Sequence, residues 1–245
     1  MQGEPEKQRS VIAMLAGISD LLYGFADVGE DLPKDLKELP FAVSIGIPLS
    51  DAIMDPVVDG PNQVYYDAYR SVNERLDALT RQIQQAIEQT GYRAHAFASS
   101  ERTDFVNVAG DFPHKTAAVK SGLGWLGRSS LLITRRFGPR VRISTVVTDL
   151  PLPIQDFSKT NFCGSCRRCV EACPAQAIVG NAWSPGVLRE SLVDVRKCDA
   201  WKIRNYPQFD GLVCGVCVAV CPHGAKKKSK INSRCFRVIS VFGIM

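Results

Sequence analysis

The sequence predicts an α+β protein, with a mixed α/β domain in its first part and a small cysteine-rich domain in its second part. Three features lead to this prediction: a long stretch of helical periodicity, several short β-branched runs, and two runs that together hold seven cysteines. Pro151 and Pro153 interrupt regular structure just before the cysteines begin. We therefore expect domains over residues 1–152 and 153–225, followed by a basic tail over 226–245.

The α/β part contains one strong helix signal and three strand signals. From Asn62 to Gln89, apolar residues recur at steps of three or four, which predicts an amphipathic helix that Asn62 caps and Gly91 follows. The apolar stripe of this helix comprises Val64, Ala68, Val72, Leu76, Leu79, Ile83 and Ile87. The runs "FAVSIGI", "LLIT" and "VRISTVVT" predict strands, with "RRFGPR" as the turn between the last two.

The first cysteine run indicates iron–sulfur chemistry. It reads C-x2-C-x2-C-x3-C-P, and its ligands would be Cys163, Cys166, Cys169 and Cys173. This spacing is typical of bacterial [4Fe–4S] proteins, in which three thiolates on one loop bind one cluster and the fourth binds another. A zinc ribbon would instead pair C-x2-C knuckles, and a disulfide framework suits secreted chains.

Two [4Fe–4S] clusters need about eight thiolates, because each cluster takes four. The second run, "CGVCVAVCP", supplies Cys214, Cys217 and Cys221, and Cys198 between the runs brings the total to eight. Crossed ligation predicts one cluster on Cys163, Cys166, Cys169 and Cys221. It predicts the other cluster on Cys173, Cys198, Cys214 and Cys217. The ninth cysteine, Cys235, has no neighbouring cysteine to complete a ligand set, and we expect an ordinary thiol.

Composition and charge favour a globular protein over a membrane-spanning or secreted one. The hydrophobic content of 45% suits a globular core, and no apolar run approaches the length of about 18 residues that a membrane span requires. The first ten residues lack a signal-peptide pattern, and clustered cysteines without a secretion signal favour a cytoplasmic protein that binds metal. The net charge is +5, and the tail segment "KKKSK" fits either a solvated end or a contact with nucleic-acid phosphates.

A glycine-rich segment, "SGLGWLGRSSLLI", lies ahead of the cysteines. Gly122, Gly124 and Gly127 match G-x-G-x-x-G, the dinucleotide fingerprint, but that fingerprint follows a strand and opens a helix. Here helix formers precede the glycines and a strand follows them, so the context does not fit a dinucleotide site. What remains is a turn whose backbone approaches either a ligand or another backbone segment.

The order of these motifs resembles the epoxyqueuosine reductase family, whose members are related to reductive dehalogenases. The resemblance rests on "VKSGLGWLGRSSLLI", "TDLPLP" and the eight-cysteine array, and it covers about Ala118 to Pro222. It implies a nitroreductase-like α/β domain that holds cobalamin base-off and a ferredoxin-like domain that feeds electrons to the cobalt. It also implies cofactor contacts from the glycine segment, at Gly122, Leu123, Gly124, Trp125 and Gly127.

The resemblance further implies partners and a reaction. The family reduces the epoxide of a queuosine precursor in transfer RNA, with electrons from a flavodoxin or ferredoxin-like donor. It carries an acidic proton donor seventeen residues before the tryptophan, and here that position is Val108. Asp111 and His114 lie nearby and are the catalytic candidates, although His114 would also serve to cap a helix that begins near Lys115.

Two principal hypotheses follow. The first is a corrinoid- and iron–sulfur-dependent reductase of the epoxyqueuosine reductase type, with no membrane partner. The second is an electron-transfer protein that reduces a corrinoid or another redox centre on a partner and has no substrate of its own. The valine at position 108 favours the second hypothesis, whereas the α/β domain favours the first, because a simple ferredoxin needs no such domain.

Overall fold

The computed structural model describes residues 3–154, 156–157 and 160–224. The helices are α1 (Glu4–Ala16), α2 (Asp51–Met54), α3 (Gln63–Gln89), α4 (His114–Lys120), α5 (Arg168–Glu171), α6 (Val195–Asn205) and α7 (Val216–Ala219). The strands are β1 (Leu22–Asp27), β2 (Phe41–Pro48), β3 (Ala94–Phe97), β4 (Trp125–Leu126), β5 (Leu132–Ile133) and β6 (Val141–Thr148). The basic tail and Cys235 lie outside the described residues.

Four strands form one antiparallel sheet in the order β1-β2-β6-β3. The two central strands, β2 and β6, are those predicted from "FAVSIGI" and "VRISTVVT", and both predictions are confirmed. Consecutive residues of a strand point to opposite faces, so each central strand contributes to two packing layers. Val43 and Ile45 of β2 pack against α3 and α1 on one face, while Ala42 packs with α4 residue Ala117 on the other.

The predicted long helix is α3, and its start is capped as expected. The side chain of Asn62 accepts a hydrogen bond from the backbone N–H of Tyr65 at 2.9 Å. The stripe is buried from Leu76 onwards, but Val64, at its beginning, is 62% exposed. The first turn of α3 extends past the sheet, and there Tyr65 and Tyr66 pack against residues of the cysteine-rich part.

The predicted strand "LLIT" is shorter than expected and belongs to a different sheet from β6. Its two central residues form β5, which pairs with β4 in a separate two-stranded ribbon. The predicted turn "RRFGPR" connects this ribbon to β6, and its hydrogen bonds run between Thr134 and Gly138. Helix α4 precedes the ribbon, so the glycine segment does follow a helix and lead into a strand.

The cysteine-rich part is built from short helices that hold the cysteines close to the α/β part. Ion pairing joins the two parts, since Arg102 donates two hydrogen bonds to the carboxylate of Asp199 on α6, at 2.7 and 2.9 Å. The mixed α/β fold followed by a small cysteine-rich part is therefore confirmed. Within the described residues, none of the helices has both the length and the apolar character needed to cross a membrane.

Candidate redox site

Four cysteines from three chain segments line one cavity of about 240 Å³. They are Cys173, which follows α5, Cys198 on α6, Cys214, which precedes α7, and Cys217 on α7. These are the four thiols that crossed ligation assigns to one cluster. Burial raises the pKa of Cys217, and the charges of Cys214, Cys198 and Cys173 raise it further.

The remaining four cysteines form a second group. Burial raises the pKa of Cys221 to about 11, with further increases from Cys163 and Cys169. The pKa of Cys169 is likewise raised by burial and by Cys163 and Cys166. A buried thiol whose pKa is raised is stabilised as a thiolate once it binds iron, because the metal neutralises its charge.

The chemistry of these two groups fits four-iron clusters. Among the described residues, no three His, Cys, Asp or Glu side chains converge closely enough to hold a single metal ion. Each thiolate of a [4Fe–4S] cluster binds a different iron, so a cluster does not need such convergence. The backbone N–H of Ala177 also donates a hydrogen bond to the sulfur of Cys173 at 3.4 Å, a contact of the kind that tunes cluster potentials.

The glycine segment packs against the second cysteine group. A Cβ atom on Gly124 would lie 2.1 Å from the carbonyl oxygen of Ile133, so the glycine is required by the close approach of β5. A Cβ on Gly127 would lie 2.3 Å from the side chain of Ile133 and 3.5 Å from the sulfur of Cys163. Trp125 is buried with Cys221 and Cys163.

The sequence left two explanations for the glycine segment: a close approach to a ligand or to another part of the chain. The contacts of Gly124 and Gly127 agree with the second explanation. Gly122 differs, since its φ of +75° needs glycine while no atom lies within 4 Å of its Cβ position. None of Gly122, Leu123, Gly124, Trp125 and Gly127 is among the residues that line the large cavity described next. Their role as cofactor contacts stays a prediction.

A larger cavity, of about 530 Å³, lies between the sheet and the cysteine-rich part. Its volume falls in the range of about 300–1,000 Å³ that small-molecule and cofactor sites occupy. Apolar side chains such as Leu126, Ile143 and Trp183 cover much of it. Its charged lining, within the described part of the chain, consists of Lys115, Arg142 and Arg189 with no carboxylate. The cavity is therefore suited to a largely apolar ligand that carries negative charge.

The large cavity and the four-cysteine cavity share a wall. Val108, Lys115, Ser130 and Leu131 line both of them. The amine of Lys115 donates to the carbonyl oxygen of Ser130 at 2.8 Å, and burial lowers the pKa of Lys115 to about 8.

Two residues of the shared wall have strained backbones. Val108 has φ +53° and Ser130 has φ +57°, in the left-handed region that side chains with a Cβ rarely adopt. Arg189 holds the strained residue Val108 by donating to its carbonyl oxygen at 3.1 Å. Strain of this kind concentrates at functional sites, where the surrounding structure enforces it.

The two predicted catalytic residues occupy different environments. His114 lines the large cavity, but its ring nitrogens lie 2.9 Å from the hydroxyl of Thr145 and 3.1 Å from the carbonyl oxygen of Ala98. Because the carbonyl only accepts, Nε2 carries the proton and Nδ1 accepts from Thr145. His114 begins α4 without capping it, so the interpretation as a cap is wrong.

Asp111 is exposed, accepts a hydrogen bond from the hydroxyl of Thr103, and is not part of the cavity lining. The residue that sequence reasoning missed is Lys115, one position after His114. No motif marks it, since a lysine in the first turn of a short helix is ordinarily solvated. Only the packing of α4 against the cysteine-rich part shows that its amine lies in the shared wall.

Comparison with known proteins agrees with the two-cluster assignment. Residues 162–224, which include all eight grouped cysteines, match the family model of the 4Fe-4S double cluster binding domain. The tetrachloroethene reductive dehalogenase of Dehalobacter restrictus is 40% identical over 115 residues, which are 42% of this chain and 21% of that protein. The epoxyqueuosine reductase of Aliivibrio fischeri is 30% identical over 180 residues, 66% of this chain and 43% of that protein. The chain thus spans less than half the length of these curated relatives.

Solved structures share the fold. A catabolic reductive dehalogenase superposes with a TM-score of 0.62 at 21% identity, over 84% of this chain and 30% of that one. An epoxyqueuosine reductase bound to an epoxyqueuosine-modified tRNA-Tyr stem loop superposes with a TM-score of 0.59 at 16% identity, over 91% of this chain and 66% of that one.

Replacing Cys198 with serine tests the assignment of the four-cysteine cavity. The variant should lose one cluster, so iron should fall from about eight to about four atoms per chain in protein purified without oxygen. Cys235→Ser serves as the matched control and should keep all the iron, because this cysteine completes no ligand set. An iron content near eight in Cys198→Ser would show that Cys198 is not a ligand.

A pH dependence follows from the burial of His114, which lowers its pKa from 6.5 to about 4. Below pH 6.5 the unfolded chain binds a proton that the folded protein does not, so this histidine destabilises the fold progressively as the pH falls towards 4. Relative to His114→Gln, the wild type should lose about 2 kcal/mol of unfolding free energy between pH 7.5 and pH 5. Urea unfolding of both proteins at the two pH values measures this difference, and an unchanged difference would contradict the assignment of a neutral, buried ring.

Proposed function

We propose that this chain is a corrinoid- and iron–sulfur-dependent reductase of the epoxyqueuosine reductase family. The observation that carries the proposal is the shared wall. The cavity that would hold the cluster of Cys173, Cys198, Cys214 and Cys217 is separated from the large cavity by a few side chains. Electrons that reach this cluster are therefore next to whatever the large cavity binds.

The lining of the large cavity fits cobalamin in two respects. The apolar side chains suit a large ring, and Arg142 supplies positive charge for the phosphate of the nucleotide tail. His114 has partners for both ring nitrogens, which agrees with cobalamin held without a histidine ligand. When bound, cobalamin would supply a cobalt centre that takes up electrons and reduces an electrophilic substrate.

Lys115 is the residue that we propose as proton donor. Its amine lies in the shared wall, and at neutral pH a lysine carries protons to give. The family's acid position holds Val108, whose side chain has no proton to donate, and Asp111 lies outside the cavity lining. The lowered pKa of Lys115 makes the transfer easier than from a solvated lysine.

Arg189 would hold the wall of the cavity in place and would not take part in the reaction. Its guanidinium donates to the carbonyl oxygens of Asn107 and Val108, at 2.7 and 3.1 Å, and so fixes the segment that borders both cavities. Arg196 holds the same segment through the carbonyl oxygen of Val106 at 3.0 Å. Both arginines come from the cysteine-rich part, so folding of that part shapes the mouth of the cavity.

The epoxide of a queuosine precursor in transfer RNA is the substrate that family membership makes the first to test. A solved relative binds a tRNA stem loop, which supports RNA as a partner. If this chain acts on that epoxide, Lys115 must do what an acidic residue does in the family.

The second candidate function is electron transfer to a redox centre on another protein. The observation that favours it is the valine at position 108, which removes the family's proton donor. This function needs the two clusters but does not need a ligand in the large cavity. Cobalamin binding therefore separates the two candidates.

The decisive experiment compares cobalamin binding to two neighbouring tryptophan variants. Val187 lines the large cavity, so the larger side chain of Val187→Trp should occupy part of it and weaken binding of cob(II)alamin by at least tenfold. Leu188 is 70% exposed and is not part of the lining, so Leu188→Trp should bind like the wild type. Visible and electron paramagnetic resonance spectra of anaerobic protein give the stoichiometry and show whether the cobalt is base-off. Intact clusters without cobalamin bound to the wild type would refute the reductase and leave the electron carrier.

A further inference from the structure

The chain has an uneven charge distribution, and part of its positive charge lies around one cysteine group. No acidic residue occurs from Phe112 to Thr148, a stretch that carries seven lysines and arginines. A second stretch without acids runs from Phe157 to Val170 and contains the first three cysteines. Arg135 lies over the ring of Phe162, with 4.8 Å between its guanidinium carbon and the ring centroid, and so joins the two stretches.

Further contacts place Arg128 and the turn that carries Arg135 and Arg136 beside the group of Cys163, Cys166, Cys169 and Cys221. The turn between β5 and β6 packs on the Cys221 loop, since a Cβ on Gly138 would lie 2.4 Å from the backbone nitrogen of Gly224. Arg128 donates to the carbonyl oxygen of Gly164 at 2.6 Å, within the loop that holds Cys163 and Cys166.

Four exposed arginines and one exposed aromatic ring make up what we call the arginine surface: Arg135, Arg136, Arg167, Arg168 and Phe162. Over residues 3–154, 156–157 and 160–224, none of these four arginines forms an ion pair. Glu171 on α5 is the acidic residue nearest to them in sequence. An unpaired positive surface next to a redox centre attracts negatively charged partners and raises their association rate.

The same cysteine group adjoins the arginine surface, since Arg167 and Arg168 lie between Cys166 and Cys169 in the sequence and Phe162, which is 41% exposed, precedes Cys163. Its cysteines line neither of the two cavities. The other group faces the large cavity across the shared wall. Electrons from outside would thus reach the group of Cys163 first and pass to the group of Cys173.

We infer that the arginine surface is the docking site of an acidic one-electron carrier protein of the ferredoxin class. The reduced carrier gives one electron to the cluster of Cys163, Cys166, Cys169 and Cys221; the carrier is oxidised, the cluster is reduced by one electron, and no proton or bond changes place. The inference rests on the iron–sulfur part of the proposed function and is independent of cobalamin.

Stopped-flow reduction of the cluster-loaded protein by a reduced, acidic plant-type [2Fe–2S] ferredoxin tests this surface. The charge reversals Arg135→Glu/Arg136→Glu and Arg167→Glu/Arg168→Glu should each lower the second-order rate constant about tenfold or more at low ionic strength. In these variants the rate constant should also depend less on salt concentration, because salt screens the electrostatic attraction that the charge reversals remove. The matched control is Arg75→Glu/Arg81→Glu, which makes an equal change of charge on the exposed side of α3. Ferredoxin should reduce this variant at the wild-type rate.

Two further measurements keep the outcomes distinct. Photoreduced deazaflavin, a small reductant that needs no docking surface, should reduce all variants equally, and iron content should stay the same. Equal rates of reduction by ferredoxin in all variants would overturn the inference. It would also be overturned if the two charge-reversal variants lost tRNA binding while ferredoxin reduced them as fast as the wild type. If deazaflavin reduces the wild type and ferredoxin does not, the proposed docking site is wrong, while the assignment of the clusters stands. Clusters that neither donor reduces would instead refute the proposed redox function.

Discussion

The convergence of Cys173, Cys198, Cys214 and Cys217 on one cavity is the constraint that the rest of the structure depends on. These thiols come from three segments, so the cluster can form only if α5, α6 and α7 are held together. Burial raises the pKa of Cys217, which keeps this thiol neutral in the apoprotein, and iron binding would supply the free energy that deprotonates it. Metal binding and folding of the cysteine-rich part should therefore be coupled.

The α/β part contributes to this convergence through α3 and the shared wall. The first turn of α3 leaves the sheet and packs Tyr65 and Tyr66 against the cysteine-rich part. On the opposite side, α4 brings Lys115 between the two cavities. A cluster bound by these thiolates would stabilise a positive charge there, and that charge would lie beside a ligand of the larger cavity. Under the proposed function, the fold would bring proton supply and electron supply to one place.

Most of the fold could be predicted from the sequence, but only some of the residues of the candidate site could be. Asn62, the apolar stripe and the two β-branched runs predicted α3, β2 and β6 because local periodicity determines them. The cysteine spacing predicted two clusters with eight thiolate ligands because cluster geometry restricts it, and the assignment of the ligands to each cluster stays a prediction. The strand "LLIT" was shortened and moved to another sheet because the close approach of Gly124 and Ile133 is a tertiary contact. Lys115 was missed for a similar reason: its position in the wall depends on how two parts of the chain pack, and no local pattern records that.

The central claim is that a reducible cluster lies next to the ligand of the large cavity, and magnetic coupling between the two measures it most directly. Cob(II)alamin bound to the wild type should relax faster in electron paramagnetic resonance power-saturation experiments once the clusters are reduced, because a paramagnetic cluster is then nearby. In Cys198→Ser, which should lack the adjacent cluster, bound cobalt should not show this change. Cobalt that binds to the wild type but saturates identically with oxidised and reduced clusters would contradict the account.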